Sequence, residues 1–138
     1  MAALSGHVFI MDATSLSQTE PVIIGGGHSG LLLALALERH GLRPTVIDAD
    51  DVERMLSAPF DGRALALMQG SKQVFDTLGL WADFEALATP IQGVRVRDVG
   101  TGGSIAYDAE DVGSVFGYGI ETRSLRARLL GLVLKRPA

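Results

Sequence analysis

Residues 21–48 read PVIIGGGHSGLLLALALERHGLRPTVID, and three signals in that order decide the fold. Pro21-Val-Ile-Ile24 is a short apolar run that stops at Gly25-Gly26-Gly27. Leu31 to His40 carries strong helix formers and stops at Gly41, a residue suited to the left-handed conformation that closes helices. Thr45-Val-Ile-Asp48 is apolar and β-branched, which marks a second buried strand. Strands joined by so short a helical connection pair in parallel through a right-handed crossover. The expectation is a three-layer α/β core in which strands 21–25 and 44–48 are parallel neighbours and helix 28–40 crosses between them.

Inside this βαβ unit, Gly25-Gly26-Gly27-His28-Ser29-Gly30 fits G-x-G-x-x-G, directly after a strand and at the mouth of a helix. Gly25 allows the tight turn, Gly27 lets backbone approach a diphosphate, and Gly30 lets the helix pack close to the strand. The helix then points its N–H groups and the positive end of its dipole at the ligand. Asp48 stands 23 residues after Gly25, at the end of the second strand, where a carboxylate accepts hydrogen bonds from both ribose hydroxyls of an adenosine. A glycine motif alone is weak. Framed by the βαβ unit and closed by Asp48, it points to a dinucleotide.

Outward from this unit, residues 1–20 show no sustained period and read as a leader, with a short strand suggested at 8–11. Residues 50–62 suit a loop with one helical turn near 52–56. Arg63 to Leu78 places Leu65, Met68, Val74, Phe75 and Leu78 near helical spacing, with Gly79 as its stop, and Trp81–Leu87 reads as another short helix. From Ile91 the period becomes two, with a hairpin about Gly100-Thr-Gly-Gly103, and residues 115–120 suggest one more strand. Thr122 can cap a last helix in which Leu125, Leu129, Leu132 and Val133 share one face.

The 138 residues are enough for one core, and 47% apolar with 20% charged residues excludes intrinsic disorder as the main description. A net charge of -4 argues against nucleic acid as a partner. With no cysteine and only His7, His28 and His40, no metal-ligand spacing exists, and none is expected. The longest apolar run, Leu31–Leu37, is far short of the roughly 20 residues that cross a bilayer. The first basic residue is Arg39, so a basic signal region is missing and a cytoplasmic location is expected.

Ordinary roles suffice for several conspicuous residues. His28 sits where only backbone is needed and reads as pointing to the surface. Arg123, Arg126 and Arg128 read as a solvated helix face, Trp81 as a core anchor, and the pairs Asp50-Asp51 and Glu110-Asp111 as solvated loop carboxylates. A lone Arg63 after Asp61-Gly62 caps or pairs with a neighbour by default.

VIIGGGHSGLLLALALERHGLRPTVID resembles the extended FAD fingerprint. DGRALALMQGSKQVFDTLGLW, TPIQGVRVRDVGTGGSIAYDAEDVG and GYGIETRSLRARLL resemble, in order, successive stretches of the aromatic-ring flavoprotein monooxygenases, within them the ubiquinone-biosynthesis hydroxylases. The resemblance runs from about Pro21 to Leu134. It implies an α/β fold, a Rossmann-like FAD-binding βαβ core with a small antiparallel β element, incomplete relative to the family. Residues 21–138 would be the N-terminal part of an FAD-binding domain.

The activity implied is that of a monooxygenase: FAD is reduced by NAD(P)H, reacts with dioxygen, and one hydroxyl is transferred to a phenolic ring. Carried over residue by residue, Gly25, Gly27 and Gly30 would cradle the diphosphate and Asp48 the ribose, while Arg63 matches an arginine that reaches FAD and Arg123 a position near the cofactor. The substrate implied is a phenolic or quinone precursor, with peripheral contact at the inner membrane and other ubiquinone-biosynthesis proteins as candidate partners. His28 departs from the small residue or proline found at its place in the family. The family's later D-G segment and second G-D flavin motif have no counterpart here, which suggests a fragment, a truncated frame or a piece cut for expression, inactive alone. Two alternatives stand beside it: a non-catalytic remnant or interaction module of the same fold, and the NAD-binding domain of a dehydrogenase, which leaves DGRALAL unexplained.

Overall fold

The computed structural model describes residues 20–135. The suggested strand at 8–11 and nearly all of the leader lie outside them. In chain order the first elements are β1 (Val22–Ile24), α1 (His28–Arg39), β2 (Thr45–Ile47), α2 (Val52–Leu56), β3 (Ala64–Met68) and α3 (Gln69–Thr77). Two 3-10 turns, Trp81–Asp83 and Glu85–Leu87, lead to β4 (Thr89–Pro90), β5 (Gly93–Arg97), β6 (Ser104–Asp108), α4 (Ala109–Val112), β7 (Gly117–Glu121) and α5 (Thr122–Leu134). These elements form two compact units, one from the chain up to Arg63 and from Thr122 onward, the other Ala64–Glu121.

The first unit contains the βαβ motif. β1 and β2 are parallel, with Val22 opposite Thr45, Ile23 opposite Val46 and Ile24 opposite Ile47. Ile23, Ala34 and Val46 pack together with Leu37, so α1 lies on the face to which the middle residue of each strand points. The helix closes where glycine was expected to close it. Gly41 adopts φ 77°, its N–H donates to the Glu38 carbonyl and the N–H of Leu42 to that of Leu37, the paired bonds of a Schellman cap. α5 packs against α1 and α2 through a stripe that includes Leu125, Leu129, Leu130 and Val133. Leu130 takes the buried place expected of Leu132, and Thr122 is the first helical residue, its N–H bonded to the Arg63 carbonyl at 3.0 Å.

The three-layer expectation is not met among the described residues. α1 covers one face of the β1–β2 pair, whereas Val22 and Ile24 are 46% and 79% exposed on the other.

The second unit is antiparallel. β7 lies between β3 and β4, with Ala64 opposite Glu121 and Met68 opposite Gly117. The stretch Ala64–Met68, expected to begin a helix, is therefore a strand, and helix starts only at Gln69. Phe75, at the end of α3, meets the fully buried Phe84 edge to face at 4.9 Å. Trp81 is only half-buried: it rests on Tyr118, with ring centres 4.7 Å apart, under the ammonium of Lys72. Phe84, not Trp81, is the core anchor. β5 and β6 form the expected hairpin, which is exposed along its whole length, as are Glu110 and Asp111.

Candidate functional site

The glycine turn and the acid that follows β2 meet because β1 and β2 pair in parallel. The N–H of Gly25 donates to the carbonyl of Ile47 at 2.7 Å, which fastens the turn to the end of β2. Gly25 does this at φ 109°, a conformation side chains rarely adopt. Next along the turn, the N–H of Gly26 donates to Oδ2 of Asp48, and the N–H of Asp50 donates to Oδ1 at 2.8 Å. Asp48 thus faces the turn at the carboxyl end of a parallel strand, where open α/β sheets place their ligands.

Gly27 is the N-cap of α1 at φ -75°, so its conformation does not itself demand glycine. What the position offers is space: a Cβ there would meet no atom within 4 Å. The cap has no side-chain hydrogen bond and the first turn has no acidic residue, so the positive end of α1 is not compensated by its own side chains. An open backbone approach, an uncompensated helix start and a carboxylate beside them fit the diphosphate and ribose of a dinucleotide. Gly30 serves another purpose. A Cβ there would overlap the carbonyl oxygen of Gly25 and come within 3.3 Å of Ile23 Cγ2, so this glycine sets how closely α1 approaches β1.

His28 does not point freely to the surface. Its Nε2 lies 2.9 Å from the carbonyl of Thr122, which can only accept, so that nitrogen carries the proton and ties α1 to the start of α5.

The remaining candidates lie in other contacts. Arg63 is three-quarters exposed and pairs with Asp61 at 2.6 Å. Its hydrogen bonds hold the Asp61 carboxyl below the usual carboxylate range. Arg123 lies over the ring of Phe60, 5.1 Å from its centre, and lines a shallow pocket with Met55, Leu56, Ala58, Ser124 and Ala127.

Arg126 corrects the expectation of a solvated helix face. Its Nε donates to the Gly26 carbonyl at 3.1 Å, Nη1 to Asp50 at 3.1 Å, and Nη2 reaches Oδ1 of Asp48 at 3.4 Å. Asp50, expected to be solvated, is its partner, and Asp51 caps α2 by accepting from the N–H of Arg54. The signal was spacing: Arg126 precedes Leu129 and Leu130 by three and four residues and so borders their buried stripe.

Comparison with known proteins bears on this geometry. The profile of the FAD binding domain family matches residues 18–122. The ubiquinone hydroxylase UbiL of Rhodospirillum rubrum is 36% identical over 117 residues, which are 85% of this chain and 27% of the relative. The ubiquinone hydroxylase UbiM of Neisseria meningitidis is 33% identical over 60 residues, covering 44% of this chain and 13% of the relative. Among solved structures, p-nitrophenol 4-monooxygenase PnpA of Pseudomonas putida is similar in fold, with a TM-score of 0.61 at 24% identity over 86% of this chain and 29% of that one. HpxO of Klebsiella pneumoniae, complexed with FAD, gives a TM-score of 0.58 at 20% identity, covering 83% of this chain and 29% of that one. The chain thus spans less than a third of the length of each of these proteins.

Proposed function

The chain belongs to the FAD binding domain family, and from that premise we propose that it supplies the ADP-holding part of a flavin monooxygenase that hydroxylates a phenolic ubiquinone precursor with NAD(P)H and dioxygen. The observation that carries the binding role is the meeting of the open glycine turn with Asp48 at the end of β2. The similarity to UbiL supports the substrate class. Residues 21–138 are, on this account, the N-terminal part of the FAD-binding domain, after a leader of 1–20.

Bound FAD supplies the redox and oxygen-transfer chemistry. This chain's residues hold and orient it. Gly25, Gly27 and Gly30 shape the turn, the first N–H groups of α1 face the diphosphate, and Asp48 accepts from the ribose hydroxyls. Arg63 would reach the cofactor by exchanging its exposed pairing with Asp61, and Arg123 would do so from the first turn of α5. Among the described residues no helix is long and apolar enough to cross a membrane. A peripheral position of the whole enzyme at the inner membrane, beside other ubiquinone-biosynthesis proteins, belongs to the same proposal.

Asp48→Asn tests the ribose assignment. Asparagine keeps an acceptor for the Gly26 N–H, whereas alanine would leave that N–H without a side-chain partner. The substitution removes a charged acceptor, so ADP binding should weaken by about 1.5 to 3 kcal/mol. Calorimetric titration of parent and variant measures this. Equal affinities would remove Asp48 from the site.

A further inference from the structure

The dinucleotide motif accounts for the glycines and Asp48 but not for the arginine from α5 that grips both. Arg126 is a hundred residues from Gly26 in sequence, yet it joins the carbonyl of the turn to Asp48 and Asp50. Its side chain is 23% exposed and that of Asp48 only 13%, so this contact is largely shielded from water. We propose that Arg126 is a positioning residue that sets the ribose selectivity of the site by holding Asp48 oriented toward the ligand. This rests on the ADP-holding role proposed above.

An ionised carboxylate has about four lone-pair sites. The N–H groups of Gly26 and Asp50 occupy one on each oxygen of Asp48. Arg126 takes the second site on Oδ1 at 3.4 Å, so the one that remains, on Oδ2, is open to a ribose hydroxyl. Without the guanidinium, Asp48 and Asp50 would stand two residues apart as like charges with no cation between them. Repulsion would then favour turning Asp48 away from the turn, which removes the acceptor that a ribose hydroxyl requires. Nε, Nη1 and Nη2 each take a different acceptor, a fixed planar fork whose orienting geometry a flexible ammonium does not reproduce.

The test compares ADP with 2′,3′-dideoxyadenosine diphosphate, titrated calorimetrically into the 138-residue chain, into Arg126→Gln and into Arg126→Lys, with circular dichroism on each. The parent should prefer ADP by about tenfold or more, the value of hydrogen bonds to a charged acceptor. In both variants the preference should fall below about threefold, because ADP weakens while the dideoxy ligand changes little. If Arg126 served structure alone, both ligands would weaken together and the ratio would stay. A folded variant that keeps the parent's ratio overturns the inference and leaves the binding role standing; a parent that binds neither ligand overturns the binding role and the inference with it. Should Arg126→Gln fail to fold, Arg126→Lys, which retains the charge, decides between these outcomes.

Discussion

Gly30→Ala is expected to destabilise the βαβ unit strongly, although alanine is the better helix former. In a helix interior, alanine is favoured over glycine by about 1 kcal/mol. Here that gain is set against an overlap of the new Cβ with a backbone carbonyl, that of Gly25, which the bond from Gly25 N to Ile47 holds in place. Relief would require α1 to move away from β1, separating Ala34 and Leu37 from Ile23 and Val46. Overpacking that shifts backbone costs typically 1 to 3 kcal/mol and sometimes more; with a rigid atom opposed, a net loss of about 3 kcal/mol is expected. Denaturant titration followed by far-ultraviolet circular dichroism measures it. An unchanged or higher midpoint would mean that α1 does not approach β1 as closely as described.

Gly27→Val should do the opposite, leaving the fold and removing the ligand. The backbone there, at φ -75° and ψ -176°, is open to valine, and the added Cβ meets nothing. Valine is a poorer N-cap than glycine, so stability should fall by no more than about 1 kcal/mol. The side chain would instead fill the space through which a diphosphate approaches the helix start, and affinity for ADP or FAD should fall about a thousandfold, near 4 kcal/mol. Titration beside a thermal melt separates the two effects. A Gly27→Val variant that binds as the parent does would reduce the glycine turn to a packing device.

These two glycines, three residues apart in one motif, show what was legible before any coordinates. The order strand, G-x-G-x-x-G, helix, acid is local, and each step follows from a residue's own conformational preference: Ile23 and Val46 for strands, the leucines and alanines of α1 for helix, Gly41 for its stop. What escaped is what non-local contacts decide. Ala64–Met68 is composed of alanine, leucine and methionine, all good helix formers, and becomes a strand only because β7, some fifty residues later, supplies its hydrogen-bonding partner. Arg126 reads with Arg128 as surface charge because nothing local reveals that α5 returns to the glycine turn. Asp50, its partner, looked like any loop carboxylate for the same reason. Trp81 drew attention by size, while the buried position went to Phe84, three residues on.

The account stands on one claim, that the glycine turn and Asp48 hold the ADP half of FAD. Titration of FAD into the 138-residue chain, followed by flavin fluorescence and repeated with Gly27→Val, tests it most directly. The chain spans 27% of its UbiL relative, so contacts to the ADP half alone should give saturable one-site binding in the micromolar range, about 8 kcal/mol at its strongest, lost in the variant. No saturable binding by the parent, or equal binding by Gly27→Val, would contradict it.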